Sequence, residues 1–394
     1  MSNEAYLVSS VRTAVGKAKK GSLARVRPEQ MGADAVSGAI ARINGLEPEM
    51  IDDILVGCAM PEGEQGLNMA RIIALRAGLP NAVSAATINR FCSSGLQTIA
   101  MATSAIRSGY NEVIVAGGAE SMSLVPMTGF HFSPDPYMVQ HKPEVYIGMG
   151  ITAENVARKY SISREDQDRF AYNSHMKAVR AIRHGFFKDE IIPLMVKENV
   201  LKNGNQISTE QTFDTDEGPR QDTSPGALAG LNPAFMHGGS VTAGNSSQMS
   251  DGAAASVVMS EKIMKKIGAE PLARLAGFAT AGVPPELMGI GPVEAIPKVL
   301  QQTGLKISNI GLIELNEAFA SQALAVIREL SIDESIVNVN GGAIALGHPL
   351  GCTGAKLTAT LLHEMVRRRI RYGMVTMCIG GGMGAAGIFE NLRR

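Results

Sequence analysis

An α/β architecture made of two related halves is what this chain predicts, on three observations. Strand-like apolar runs alternate with amphipathic helical stretches, glycines cluster at the turns between them, and one unit occurs twice. The segment Ile40-Ala-Arg-Ile-Asn-Gly45-Leu46, followed by Ile51 and Ile54, returns 259 positions later as Val299-Leu-Gln-Gln-Thr-Gly304-Leu305, followed by Ile310 and Ile313. In each copy a helix, with Val293, Ile296 and Leu300 at helical spacing in the second, stops at a glycine. A strand follows, Ile54-Leu-Val in one half and Leu312-Ile-Glu-Leu in the other. The same offset carries Ser94-Gly95 onto Thr353-Gly354, each at the head of the next predicted helix. Each half then reaches a strand ending in glycines, Val113 to Gly118 and Met374 to Gly380. The alternation predicts a parallel or mixed sheet covered by helices, built as two related layers.

Between the halves, roughly Ser121 to Gly244 departs from the repeat and is too long for a bare loop. A capping box, Ser163-Arg-Glu-Asp166, opens a helix with Phe170, Ser174, Ala178 and Ile182 at helical spacing and a stop at Gly185. Polar Gly/Pro-rich stretches such as Asp214 to Gly226 surround it, so the insertion reads as a lid or a cofactor-holding subdomain.

Composition narrows the function. The 37 basic residues balance 37 acidic ones, which argues against a broad nucleic-acid or anionic-membrane surface and for a small-molecule partner. Hydrophobic residues make up 45%, yet no apolar run approaches the roughly 18 residues of a membrane span. The start lacks the pattern of a signal peptide, so the expectation is an untargeted, cytoplasmic protein. Four cysteines in 394 residues, none in CxxC, exclude a disulfide framework and leave thiols free to react.

Two of those thiols and one imidazole stand in glycine-rich turns. Cys92, in Asn89-Arg-Phe-Cys92-Ser-Ser-Gly95, precedes a helix with Leu96, Ile99, Thr103 and Ile106 on one face and an end at Gly109. A helix N-terminus stabilises a thiolate by only ~0.3–1 kcal/mol, so a thiol of ordinary pKa still needs a base. His348, between Gly347 and Pro349, sits in a rigid turn in the other half. Cys378 ends a buried strand and runs into Gly380-Gly-Gly-Met-Gly384, a turn whose bare N–H groups can face an oxyanion. Taken singly, each is more often a packing or turn residue; Cys58 and Cys352 keep that reading. The other six histidines read as solvated, and without HExxH, CxxC or paired histidines no metal is expected. Gly382-Met-Gly384-Ala-Ala-Gly387 satisfies GxGxxG, but too few residues follow it for a dinucleotide site, and Gly351-Cys-Thr-Gly-Ala-Lys356 lacks a phosphate-loop ending.

Four segments together, the Cys92 segment, Asn316-Glu-Ala-Phe319, Gly341-Gly-Ala-Ile-Ala-Leu-Gly-His348-Pro-Leu-Gly and Cys378-Ile-Gly-Gly-Gly-Met-Gly, resemble the signatures of the thiolase family, in family order and across the whole chain. The resemblance implies a thiolase fold: two βαβαβαββ-type halves, 1–262 and 270–394, in an α/β/α/β/α core with an inserted loop domain at about 121–248. It implies CoA-dependent cleavage of a 3-ketoacyl-CoA, with coenzyme A as co-substrate and no permanently bound cofactor. By position, Cys92 would be the nucleophile, His348 its base and Cys378 the second acid/base. Asn316 would orient a water at the enolate oxygen, and the N–H groups of Cys92 and Gly380 would form the oxyanion site. Ser247 matches a pantetheine contact, Met149 and Phe319 an acyl pocket, and Arg220, less specifically, a contact to the nucleotide end. The short-chain type usually has histidine where this chain has Gly148, and Arg90-Phe-Cys92-Ser-Ser is more like the degradative enzymes of β-oxidation. A short-chain acetyl-CoA acetyltransferase is the alternative. The family also implies a homodimer or homotetramer, in some members joined by a hydratase/dehydrogenase subunit. Rival readings are a decarboxylating ketoacyl synthase, a non-catalytic acyl-CoA carrier and a thiol redox switch.

Overall fold

A computed structural model describes residues 4–202 and 205–393, and the side chains of 198–208 are left aside. The duplication is visible strand by strand. In the first half β1 (Ala5–Thr13), β2 (Asp53–Gly57), β3 (Ser84–Ile88), β4 (Val113–Ser121) and β5 (Ser250–Ser260) pair in the order β1-β5-β4-β2-β3. In the second, β6 (Ala273–Gly282), β7 (Leu312–Leu315), β8 (Tyr372–Ile379) and β9 (Met383–Asn391) pair as β6-β9-β8-β7. Each half has two antiparallel pairings followed by a parallel one. The counterpart of β3 in the second half shrinks to a single bridge, Ile313 to Val337. One β1–β6 partnership, Leu7 with Ala273, joins the halves.

Five layers follow from which faces are apolar. The helix α1 (Pro28–Ala41) covers the outer face of the first sheet, where Met31, Val36 and Ala39 pack on Val11, Val115 and Val257. Helices α2 (Ser94–Arg107) and α3 (Thr353–Arg368) lie between the sheets, where Leu96, Ile99, Leu357 and Leu361 share one core with residues of both. Helices α4 (Gly291–Thr303) and α5 (Ala320–Glu329) cover the far side through Ile296, Val299, Val326 and Ile327. Gly45 and Gly304, paired by the repeat, both take left-handed φ, +78° and +67°, where a side chain is strained, but only Gly304 caps its helix; α1 has already ended at Ala41 and Gly45 turns the loop that follows.

The two central helices touch through their repeat-related glycines. A Cβ on Gly95 would lie 2.6 Å from the Ala355 nitrogen, and one on Gly354 would lie 2.2 Å from the Leu96 nitrogen. Backbone cannot yield as a side chain does, so Gly354→Ala is expected to destabilise the protein by ~2 kcal/mol or more. An unchanged urea midpoint for that variant would show that the helices can part freely.

Two expectations change here. Gly117 and Gly118 do not end β4, which continues to Ser121. They are glycines because Cβ atoms there would fall 2.1 Å from the Ala254 oxygen and 2.2 Å from the Gly351 oxygen. His175 is buried rather than solvated: its Nδ1 accepts from the Arg220 N–H at 3.1 Å, and burial, aided by the Arg220 charge, pushes its pKa down to about 4. The insertion supplies helices Met149–Lys159 and Arg164–Arg183, the second capped by Ser163 Oγ accepting the Asp166 N–H. A two-stranded ribbon, Leu194–Lys202 with Asn205–Phe213, completes it.

Candidate active site

The chemistry gathers where α2, the turn before α3 and the C-terminal ends of β7 and β8 meet. Cys92 occupies a 3-10 turn, Phe91–Ser93, one residue ahead of the α-helix. The turn is knotted by its own polar groups. Asn89 Oδ1 accepts the Phe91 N–H at 2.8 Å, and Ser94 Oγ accepts the Arg90 N–H at 2.8 Å while donating to the Phe91 carbonyl at 2.7 Å. These bonds hold Phe91 at φ +44°, an uncommon value for a residue with a side chain. The Cys92 thiol is only partly covered, and the N–H groups of Gly380 and of Cys92 itself are near enough to pull its pKa down. Those are the two donors the sequence proposes for the oxyanion.

Cys378 is fully buried near the end of β8, close enough to Cys92 that charge on that sulfur raises its pKa further. Burial is the larger cause for both thiols. It pushes Cys92 up to about 12 against the pull of the N–H donors, so both sulfurs rest as neutral thiols at pH 7.

His348 is held at both nitrogens. Thr353 Oγ1 donates to the Pro349 carbonyl at 3.0 Å, so it accepts Nδ1–H of His348 at 2.6 Å. That assignment leaves Nε2 as a lone pair, facing Asn316 Nδ2 at 3.3 Å. The tautomer is the one a general base needs. Burial, with the nearby Lys356 cation, lowers the imidazole pKa to about 3. His348 is therefore neutral across the working range, and protonation of the free enzyme should not cut activity near the ordinary histidine pKa of about 6.5. A kcat/KM profile falling with an apparent pKa of about 6.5 would contradict this environment. Asn316 follows β7, its N–H donating to the Thr376 carbonyl at 2.9 Å, and its buried Oδ1 has no partner among the described residues. A free acceptor beside the imidazole suits a bound water.

The remaining candidates divide. Ser247 donates its N–H to the Ala318 carbonyl at 2.9 Å, Ser246 bridges Phe319, and Gln248 accepts the His348 N–H at 3.1 Å, so this segment joins the site. Phe319, Met149, Met288, Val241 and Cys378 form one apolar cluster. Arg220 donates its N–H to His175 Nδ1 at 3.1 Å, and its side chain is 63% exposed with Asp222 at 3.6 Å.

Four contributors escape sequence reasoning. Thr353 orients the imidazole, yet it reads as an ordinary residue at a helix start. Phe235 stacks edge-on against Phe319 with ring centroids 5.9 Å apart, from a loop without periodicity. Glu120 is buried and accepts from the N–H groups of Ala59 and Gly351 and from Gln65 Nε2, each at 2.7 Å. It thus anchors the turn that follows His348. Glu317 accepts from Ser174 Oγ at 2.7 Å, Asn338 Nδ2 at 2.8 Å and the Ile344 N–H at 3.2 Å, anchoring the turn that precedes it. Its only sequence signal is the acidic residue next to Asn316.

Two neutral thiols, an oriented imidazole and inward N–H groups are the equipment of an acyl-transferring enzyme, and the protein is an acyltransferase. It belongs to the thiolase family: the thiolase N-terminal domain matches residues 5–262 and the thiolase C-terminal domain residues 269–391. It is 57% identical over 388 residues to the 3-ketoacyl-CoA thiolase of Bacillus subtilis (strain 168), covering 98% of this chain and 99% of that protein. The crystal structure of the Bacillus anthracis acetyl-CoA acetyltransferase superposes with a TM-score of 0.90 at 41% identity, covering 99% of both chains. That of human mitochondrial 3-ketoacyl-CoA thiolase gives 0.89 at 38% identity, again covering 99% of both.

Proposed function

We propose that the protein cleaves 3-ketoacyl-CoA with coenzyme A, giving acetyl-CoA and a shortened acyl-CoA through an acyl group carried on Cys92. Nε2 of His348 takes the Cys92 proton as the sulfur attacks the 3-keto carbon. The N–H groups of Cys92 and Gly380 receive the tetrahedral oxyanion. Collapse breaks the C2–C3 bond, and the electron pair passes into an acetyl-CoA enolate whose oxygen faces His348 and the water held by Asn316. Cys378 protonates that carbon, then as a thiolate accepts the proton of the incoming CoA thiol, which attacks the acyl group on Cys92. The departing Cys92 sulfur recovers its proton from His348, and every group returns to its starting state.

What supports this reading is the His348 imidazole, held by Thr353 with Nε2 left as a lone pair beside Asn316, together with two thiols from opposite halves close enough for charge on Cys92 to bear on Cys378. A role in β-oxidation with long acyl chains is favoured by the absence of an imidazole at Gly148 and by the apolar cluster of Met149, Phe319 and Met288. Following loss of ketoacyl-CoA absorbance with added CoA should show 3-ketohexadecanoyl-CoA cleaved within about tenfold of the kcat/KM for acetoacetyl-CoA. Selective cleavage of acetoacetyl-CoA alone would replace this with the short-chain acetyltransferase reading. We further propose a homo-oligomer, since β3 at one end of the sheet offers an unpaired edge. A cytoplasmic site of action and the absence of a resident cofactor complete the proposal; among the described residues no helix is long and apolar enough to cross a membrane.

A further inference from the structure

The two sheets meet at one point and then part. β1 pairs with β6 only at Leu7 and Ala273, and its register against β5 shifts between Leu7 and Ser9. The side of β1 turned to the second half next meets a strand at Arg12 and Thr13, opposite Ile191 and Ile192. The stretch between, Val8 to Ser10, faces a groove of about 490 Å³. His363 and Arg367, from the last turns of α3, line it too, so it lies at the end of that helix remote from His348. Buried Val8 and Leu272 give the groove apolar surface, and exposed Arg42, Lys188 and Arg393 give it charge. These cations come from separate places: Arg42 follows α1, Lys188 belongs to the insertion, and Arg393 follows β9.

The polar groups here are unequally engaged. Arg367 is held by Glu364, Nε to Oε2 at 2.9 Å, and its Cζ lies 3.7 Å from the centroid of the Phe186 ring. His363 Nε2 donates to the Ser10 carbonyl at 3.0 Å. The Arg42 guanidinium, by contrast, donates only to the carbonyl of Asp189, and that of Arg393 only to the carbonyl of Glu270, at 3.0 Å. The Lys188 ammonium has no polar partner among the described residues. A carbonyl satisfies a hydrogen bond without cancelling a charge. Asp189 is the one carboxylate among the described residues of the wall, so three uncancelled cations face a single anion. Crowding by the surrounding chain outweighs the attraction of Asp189 and Glu190 and pushes the Arg42 pKa down, as befits a cation short of counter-charge. Exposed lysines and arginines on a convex face are satisfied by water; here they converge on a concave surface, where their fields add.

We infer that this groove is a binding site for a small polyanion, a molecule carrying two or more phosphate or carboxylate groups, held by Arg42, Lys188 and Arg393. Once bound, it joins the first half, the insertion and the second half through one ligand. None of the three side chains takes part in the proposed chemistry, so the site bears on stability rather than on the reacting atoms.

Titration calorimetry on the wild type, with CoA at saturation and ionic strength held fixed, should detect binding of inorganic pyrophosphate or of citrate, and the tighter of the two tells whether phosphate or carboxylate is recognised. The triple variant Arg42→Gln, Lys188→Gln, Arg393→Gln should bind that probe about tenfold more weakly, the worth of a few exposed charge contacts. Lys188→Gln alone breaks no contact within the chain, so it tests the site even if the triple variant folds poorly, and about a twofold loss is expected. The probe should raise the thermal midpoint of the wild type and leave that of the triple variant where it was, while turnover and the KM for CoA stay equal in the two proteins. No binding of either probe, equal affinity in the wild type and both variants, or binding that CoA abolishes would overturn the assignment.

Discussion

Replacing Cys92 with alanine is expected to lower turnover of 3-ketoacyl-CoA by at least ~10⁴-fold, about 5 kcal/mol of transition-state stabilisation, since no covalent intermediate can then form. Affinity for CoA should stay within about twofold, because the sulfur is one atom among many that the co-substrate meets. The size of the effect follows from the site's division of labour. In the proposed sequence His348 would have no thiol left to deprotonate, and the Gly380 N–H no tetrahedral intermediate to receive. Cys378 cannot substitute, because its fully buried sulfur is directed to the enolate carbon in the proposed sequence. Single-turnover mixing with a radiolabelled acyl-CoA, followed by denaturation, should find label on wild-type protein and none on Cys92→Ala. Label retained on the variant, or turnover above about one-hundredth of wild type, would place the nucleophile elsewhere.

The largest effect on stability is expected from Arg12→Leu. Arg12 ends its run of β1 fully buried, with Nε donating to Glu190 Oε1 at 2.5 Å and its two terminal nitrogens donating to Asp216 at 2.7 and 2.9 Å. Phe187 lies under the guanidinium at 5.1 Å from ring centroid to Cζ. Glu190 and Asp216 belong to different parts of the insertion, so one side chain staples both to the sheet. Removing it strands two buried carboxylates, and a broken buried pair typically costs ~3–5 kcal/mol. Thermal and urea midpoints should both fall, and adding Asp216→Asn to Arg12→Leu should recover part of the loss by removing one stranded charge. If Arg12→Leu melted like wild type, the buried network would have no part in holding the insertion down.

Much of this architecture was legible before any coordinates. The helix stop at Gly304 and the helix starts at Ser94 and Thr353 fall where the repeat puts them, whereas the first copy's helix ends at Ala41, four residues ahead of Gly45. These features depend on local backbone preference and on the 3.6-residue period, both of which a linear string carries. Gly117 and Gly118 misled because glycine has two uses, turning a chain and admitting a neighbour, and only the packed structure distinguishes them. His175 misled for a related reason: a polar neighbourhood in sequence does not reveal which helix face is buried.

By itself the sequence determined the duplicated α/β plan, the reactive residue types and the turns that hold them, because each is written in short-range pattern. Only the tertiary structure decided how those residues act. Thr353 selects the histidine tautomer, Glu120 and Glu317 set the flanking turns, and burial holds both sulfurs as thiols. Hydrogen-bond direction and burial belong to groups brought together in space, and they are decided only when the two halves pack.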